Sequence, residues 1–273
     1  MNAIKIVDTT LRDGEQSTGI ALDADARVEI AKALDSLGVY QIEAGIPAMG
    51  GQEMKSIIKI MDLGLKSRIS VWNRMNIADI KESMGCGRAI IHICVPASDI
   101  QLQHKLNKDR NWVVQNMNKC VCAAKEKDYE VVVEIEDASR ADISFVKELI
   151  VNAKNEGAER IRYADTVGIL YRKKIFDDIT ELRQATDIDF EIYAHNDLGM
   201  AVANSIAAVN AGAEYVDTTI CGIGERAGNC SFTKFVQAAR SCFNAFGHYD
   251  MERLSYMEKF ILKKMKLSSS NFN

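Results

Sequence analysis

Residues 190–220 read FEIYAHNDLGMAVANSIAAVNAGAEYVDTTI. A β-branched and aromatic run, Phe190–Ala194, ends in the polar cluster His195-Asn196-Asp197. A helical pattern follows over Met200–Asn210, then Gly212, then a second apolar run, Tyr215–Ile220. Strand, helix, glycine, strand is a βαβ unit. The helix carries the chain back, so the two strands run parallel.

The same unit recurs along the whole chain. Strand-like runs stand at Ile4–Thr10, Gln41–Ile46, Arg68–Trp72, Ala89–Val95, Val131–Ile135 and Arg160–Tyr163, ahead of the two just quoted. Helical patterns lie between and after them at Ala24–Leu37, Gln52–Asp62, Ile77–Met84, Trp112–Lys127, Ile143–Asn155, Arg172–Gln184 and Phe232–Phe246. Gly38, Gly64, Gly85, Gly157 and Gly212 sit just past helix ends, where a left-handed cap is wanted. Eight strands alternating with eight helices predict a closed (β/α)8 TIM barrel, which takes roughly 250 residues. An open doubly wound sheet is the competitor, but no GxGxxG follows the first strand. We expect the barrel over residues 1–250 and a short C-terminal helix and tail over 251–273. The helix spans Glu252–Lys266, and Ser268–Asn273 reads as a frayed end.

Bulk properties narrow the function classes. The chain has 273 residues, 47% hydrophobic and 26% charged, which are globular values. A net charge of −4 and a pI near 5.7 recruit neither nucleic acid nor an acidic membrane. No stretch approaches the roughly 20 apolar residues of a membrane helix. The N-terminus does not read as a secretory signal. Seven irregularly spaced cysteines with no CxxC pair argue against structural zinc and for a reduced, cytoplasmic protein.

A barrel of this type carries its active site at the C-terminal strand ends. Charge gathers there. The first strand delivers Arg12, Asp13, Glu15 and Gln16, and the second Glu43. The fourth gives His92, the fifth Glu134, Glu136 and Asp137, and the sixth Arg162, Asp165 and Thr166. The seventh gives Tyr193 and His195, and the eighth Cys221 and the loop Gly222-Ile223-Gly224-Glu225-Arg226. Strand residues two apart share a face, so Glu134 points with Glu136 and Tyr193 with His195. Asp13 and His195 can offer one oxygen and one nitrogen to Mg2+, Mn2+, Co2+ or Zn2+. Such an ion could hold a 2-oxo acid and polarise its ketone. Blander readings compete. Asp8 and Asp197 can simply cap the next element, Arg12 can be an ion-pair partner of Glu43 or Glu136, and His92 can be a hydrogen-bonded core residue. His104 reads as solvated or phosphate-facing, and His248 as a surface residue. Cys221 reads as packing, and the glycine-rich loop as a phosphate cradle or a mobile cover.

Two long segments, DTTLRDGEQ (8–16) and HNDLGMAVAN with GIGERAGN (195–204, 222–229), resemble the signatures of the DRE-TIM metallolyase family. IEAGIPAMG (42–50), SDIQLQHKLNKDR (98–110), EDASRAD (136–142) and RYADTVG (162–168) are similar to its homocitrate synthase branch from nitrogen-fixing bacteria. The resemblance implies a metal-dependent Claisen condensation of acetyl-CoA with a 2-oxo acid, 2-oxoglutarate in that branch. It implies Asp13 and His195 as metal ligands, and Arg12 as the group that stabilises developing negative charge. Glu136 would be the acid that assists enolisation, and Thr166 would bind a substrate carboxylate. Gln16, Glu43 and Arg162 would shape the oxo-acid pocket, and Gly222, Gly224 and Glu225 would belong to a loop lying over the site.

Two departures modify this. The family pattern at strand seven is His-x-His, whereas this chain has Tyr193-Ala194-His195. Either Tyr193 itself or Glu134 would then complete the ligand set. The family's longer members also continue past the barrel with a region that closes over the site. We therefore expect a homo-oligomer, or a hetero-oligomer with a chain that carries such a region. The resemblance leaves two further readings open, a carbon–carbon lyase of the HMG-CoA lyase type and a weakly active or non-catalytic partner of a paralogue.

Overall fold

Eight strands form where the apolar runs stand: β1 Lys5–Asp8, β2 Gln41–Glu43, β3 Arg68–Arg74, β4 Ile90–Pro96, β5 Val131–Glu136, β6 Arg160–Asp165, β7 Asp189–Ala194 and β8 Tyr215–Thr218. In the computed structural model, which describes residues 3–267, they pair in parallel and close in chain order into one barrel. β8 returns to β1 in a register running from Lys5 against Tyr215 to Asp8 against Thr218. β4 (IIHICVP) is buried at every position. That is the signature of a strand covered on both faces.

Nine helices of eight residues or more among the described residues surround the strands: α1 Ala24–Leu37, α2 Gly51–Met61, α3 Ile77–Met84, α4 Arg110–Lys125, α5 Ile143–Asn155, α6 Arg172–Ala185, α7 Ala201–Asn210, α8 Phe232–Phe243 and α9 Met251–Lys264. Acidic or amide side chains start many of them. Asp23, Asn76, Asp109, Asp142 and Asp250 each accept a backbone N–H in the first turn. Each such cap contributes about 1 kcal/mol. Gly38, Gly64, Gly157 and Gly212 adopt the left-handed conformation expected of them. Gly85 does not: it stays right-handed at φ −70°, and the reversal falls to Gly87 at φ 109°. The expected tail, Ser268–Asn273, lies outside the described residues.

The apolar core lies between strands and helices. Val71, Ile91, Val133, Ile161 and Ile192 point outward onto helix residues such as Ile57, Val113 and Leu149. The barrel interior differs. In place of branched apolar layers it holds Glu43, His92, Glu134, Arg160, Arg162, Glu191 and Asp217, none more than 3% exposed. Charges so deep persist only when paired, and their pairing sets the floor of the site.

After β4 the chain makes a short turn of α-helix, Asp99–Gln101, and runs into a π-helical turn, Leu102–Leu106. Asn107 ends it in the left-handed region. This segment stands at the barrel mouth, and π-turns are frequent at functional sites.

Candidate active site

β1 runs out into the loop that carries Arg12 and Asp13. Their backbone N–H groups both donate to the Thr9 carbonyl, which turns the chain inward. Arg12 Nε lies 2.6 Å from Glu43 Oε2, and its Nη1 lies 3.2 Å from Asp13 Oδ1. The guanidinium sits 5.6 Å from the ring centres of both Trp72 and Tyr193. Its Nη2 is buried and unpartnered. Burial disfavours the Arg12 charge, but the Glu43 and Asp13 carboxylates outweigh it and hold the group firmly cationic.

Two strands round the barrel from β1, His195 follows β7 and makes a backbone bridge with Asn229 of the glycine-rich loop. The Asn229 amide donates to Asp13 Oδ2 and, at 3.0 Å, to the Ile223 carbonyl. Asn229 thus ties together the two residues expected as metal ligands. Its Oδ1 and His195 Nδ1 are both buried without a partner. Burial, aided by Arg226 and Arg12, pulls His195 below its ordinary pKa, although Asp13 opposes the shift. The imidazole is therefore neutral, the form that ligates metal. A Cβ on Gly224 would lie 2.0 Å from Asn229 Nδ2 and 3.1 Å from Asp13 Oδ2. Only a glycine leaves this cradle open.

A carboxylate, a neutral imidazole and an amide oxygen suit a divalent cation of intermediate hardness. No group of three or more His, Cys, Asp or Glu able to hold a metal occurs among the described residues, and the fit rests on Asn229 as the third donor. Sequence reasoning missed Asn229. Its position in GIGERAGN was visible, but nothing in the pattern says which loop residue turns inward.

Neither substitute for the expected first histidine joins this cluster as an anion. The Tyr193 ring stands edge-on to His195 with centroids 4.9 Å apart. Burial, then the Asp13 carboxylate, raises its phenol well above the ordinary value, so it stays protonated. Glu134 faces the barrel interior as expected but one layer deeper. Its Oε2 lies 2.9 Å from His92 Nε2 and 3.3 Å from Arg162 Nη1, and Cys94 Sγ donates to Oε1 at 3.3 Å. Burial would raise its pKa, but His92 and Arg162 bring it down to about 2. Glu134 belongs to the ion network beneath the site, not to the Asp13–His195 cluster.

That network is continuous. His92 Nδ1 lies 2.7 Å from Glu43 Oε1, and Arg162 Nη2 lies 3.0 Å from the same oxygen. Arg162 also pairs with Glu191, and with Asp217 at 2.9 Å. Burial pushes Asp217 well above the ordinary carboxylate range despite Arg162, with Glu191 adding to the rise. Asp217 is therefore the neutral member. Arg162 and Glu43, expected to line the oxo-acid pocket, are fully buried in this network. His92 is likewise fully buried, between the Glu43 and Glu134 carboxylates.

The rim holds the remaining groups. Glu136, at the end of β5, accepts from Gln101 Nε2 at 2.8 Å and from Lys105 Nζ at 2.9 and 3.1 Å. Thr166 Oγ1 accepts from the Asp137 backbone N–H at 2.8 Å, which leaves its hydroxyl hydrogen to donate. Arg226 reaches from the glycine-rich loop to Asp197 Oδ1 at 2.8 Å and to the Thr166 carbonyl at 2.7 Å. Ser17 Oγ donates to the Gly224 carbonyl at 2.6 Å. The loop is thus tied down over the β6, β7 and β1 ends. Asp197 is not a helix cap, because Asn196 Oδ1 accepts the Ala201 N–H instead. Asp8 accepts from Thr10 within a turn. Gln16, Gly222, Gly224 and Glu225 line a cavity of about 1130 Å3 that also touches Asn229 and Lys234. Cys221 is no nucleophile: burial and Glu258 push its thiol up to about 12. His104 and His248 are exposed.

A closed eight-stranded parallel barrel that gathers Asp13, His195 and Asn229 at its C-terminal mouth defines a (β/α)8 barrel protein. The chain belongs to the HMGL-like family, whose model matches residues 3–261. It is 55% identical over 234 residues to the homocitrate synthase subunit alpha of Clostridium pasteurianum, covering 86% of this chain and 87% of that protein. It is 42% identical to 2-isopropylmalate synthase 2 of Caldanaerobacter subterraneus, covering 94% of this chain and 67% of that protein. The HMG-CoA lyase of Bacillus subtilis superposes with a TM-score of 0.85 over 100% of this chain and 97% of that one, at 18% identity. That likeness concerns the fold alone. No helix among the described residues is long and apolar enough to cross a membrane.

Proposed function

We propose that this chain is a homocitrate synthase-like acyltransferase. It joins the acetyl group of acetyl-CoA to C2 of a 2-oxo acid, with 2-oxoglutarate as the first candidate, and water then releases CoA from the thioester. The observation that carries this reading is that Asp13 is held by both the Arg12 guanidinium and the Asn229 amide, that Asn229 bridges to His195 through the backbone, and that His195 Nδ1, Asn229 Oδ1 and Arg12 Nη2 are buried without partners. The 55% identity to a homocitrate synthase subunit supports the same assignment.

Each residue has a task. Glu136 takes a proton from the acetyl methyl group, and the carbon so freed bonds to C2 of the oxo acid. The ketone's electron pair moves onto its oxygen. Arg12 Nη2 is the donor available to that oxygen, and fixed donors aimed at developing charge are often the largest catalytic contribution. Thr166 donates its hydroxyl hydrogen to the oxo-acid carboxylate. A divalent cation (Mg2+, Mn2+, Co2+ or Zn2+) held by Asp13, His195 and Asn229 would polarise the ketone. The glycine-rich loop and Gln16 wall a cavity roomy enough for the pantetheine arm.

We read the enzyme as one subunit of a pair. The 55% identical relative, itself matched over 87% of its length, carries the name subunit alpha. The test is thiol release from acetyl-CoA with a panel of 2-oxo acids, with product identified by mass spectrometry. It is run with and without chelator, and with the chain alone and with its cognate second subunit. Metal-dependent release with 2-oxoglutarate, fastest with both subunits, is expected. Cleavage of a 3-hydroxyacyl-CoA without condensation would reassign the chain as a lyase. No turnover and no metal uptake would make it a non-catalytic partner.

A further inference from the structure

Glu136 does not stand alone at the rim. Both of its oxygens lie within 3.1 Å of Lys105 Nζ, and Gln101 Nε2 donates to Oε1 at 2.8 Å. Both donors come from the turn that follows β4. Two further contacts hold that turn against β5. Ser98 Oγ donates to Asp137 Oδ2, and the Ala97 N–H donates to the Glu136 carbonyl at 3.1 Å. Asp99 pairs with Arg110 at 2.9 Å, which anchors the turn to α4. The π-helical winding of Leu102–Leu106 supports this arrangement, because an irregular turn persists only when its surroundings over-determine it.

We propose that Lys105 and Gln101 are positioning residues for Glu136, and that the turn at 98–106 is the shelf that aims this base. The proposal rests on the reading of Glu136 as the group that takes the acetyl proton. A carboxylate at a strand end can swing about two side-chain torsions. Two donors on one oxygen, one of them shared with the other oxygen, leave it a single orientation. Lys105 keeps 55% of its side chain exposed, while Glu136 keeps only 14%. The lysine therefore reaches inward from solvent to a carboxylate that faces the mouth. Burial opposes the Lys105 charge, but Glu136 outweighs it and the ammonium ends above its ordinary pKa. The pair is thus a true ion pair.

The test compares Lys105→Ala, Lys105→Arg and Gln101→Ala in the full chain with its second subunit. General-base catalysis is worth roughly 10²–10⁴-fold, and loss of aim should forfeit part of it. Lys105→Ala should lower kcat roughly tenfold or more with the KM for the 2-oxo acid little changed, and Gln101→Ala should lower it less. Lys105→Arg should restore most of the rate. Added ethylammonium should rescue Lys105→Ala, since the gap is open to solvent. An unchanged kcat in Lys105→Ala, or a loss that neither arginine nor the amine restores, overturns the proposal. A readout free of activity separates this from failure of the functional reading. Backbone hydrogen exchange of residues 102–108 should quicken in Lys105→Ala and in Glu136→Gln alike. Unchanged exchange in both overturns the shelf itself. Quickened exchange in both variants, beside a wild-type protein that condenses nothing, overturns the functional reading and leaves the shelf as structure.

Discussion

The side-chain amide of Asn229 donates to the Asp13 carboxylate, a hydrogen bond between residues 216 positions apart. Barrel closure makes it: β8 lies against β1, so the loop after β8 meets the loop after β1. The bond fixes one Asp13 oxygen, and Asn229 Oδ1 and His195 Nδ1 are left buried without a partner. Asn229→Ala removes a donor and a tether together. Outer partners of metal ligands are worth roughly 10–100-fold in affinity, so divalent-metal binding by isothermal titration should fall at least that far. Unchanged affinity would remove Asn229 from the donor set.

Gly224 tests the same cluster by filling space. Its backbone is not left-handed, so alanine meets no conformational penalty there, only the clash with the Asn229 amide. Gly224→Ala should keep the circular dichroism of the native barrel. It should weaken metal binding and lower condensation roughly tenfold or more, the scale of a displaced ligand partner. Native metal affinity in this variant would show that the loop is free to shift away.

The barrel was legible because alternation of strand and helix leaves few alternatives, and the signs survive in short windows such as residues 190–220. Strand-end charge likewise places Arg12, Asp13, Glu136 and His195 at the barrel mouth, where the structure has them. What failed to show has specific causes. The side-chain period of a strand tells which face a residue takes but not its depth along the barrel. Glu134 was therefore placed on the right face and the wrong layer. The turn at 99–106 lacks an apolar stripe, because its long side chains work on Glu136 and solvent rather than on a core. Gly85 looked like a left-handed cap from its position alone. The chain instead continues right-handed to Cys86, whose side chain is buried, and reverses at Gly87.

Asp8 gives the stability a sign with pH. It is fully buried, and burial raises its pKa to about 7, against the opposing hydrogen bond from Thr10. Between the ordinary value of 3.8 and about 7 the folded chain binds more protons here than the unfolded chain. Stability from this residue is therefore greatest below pH 3.8 and falls as pH rises toward 7. Asp8→Asn keeps an acceptor for the Thr10 N–H and abolishes the titration. The variant should melt higher than the parent at pH 8, with the gain shrinking as pH falls toward 4. A gain independent of pH would mean that Asp8 titrates alike in the folded and the unfolded chain, without the rise that burial brings.

Glu134→Gln separates metal binding from barrel stability. The carboxylate's hydrogen-bond and ion-pair partners are His92, Arg162 and Cys94, none of them a proposed metal donor. Metal affinity should accordingly be unchanged. Stability should not be. Removing one member of a buried ion network costs roughly 3–5 kcal/mol, because its partners are left uncompensated. Arg162 keeps Glu43 and Glu191, which places the cost near the lower end. The depressed pKa points the same way. A carboxyl brought from 4.5 to about 2 contributes about 3 kcal/mol at neutral pH, at about 1.36 kcal/mol per pH unit. That contribution is complete above pH 4.5 and is lost as pH falls through about 2. The difference in melting temperature between parent and variant should therefore be full at pH 7 and narrow under acid. A variant that keeps its melting temperature but loses metal would return Glu134 to the ligand set.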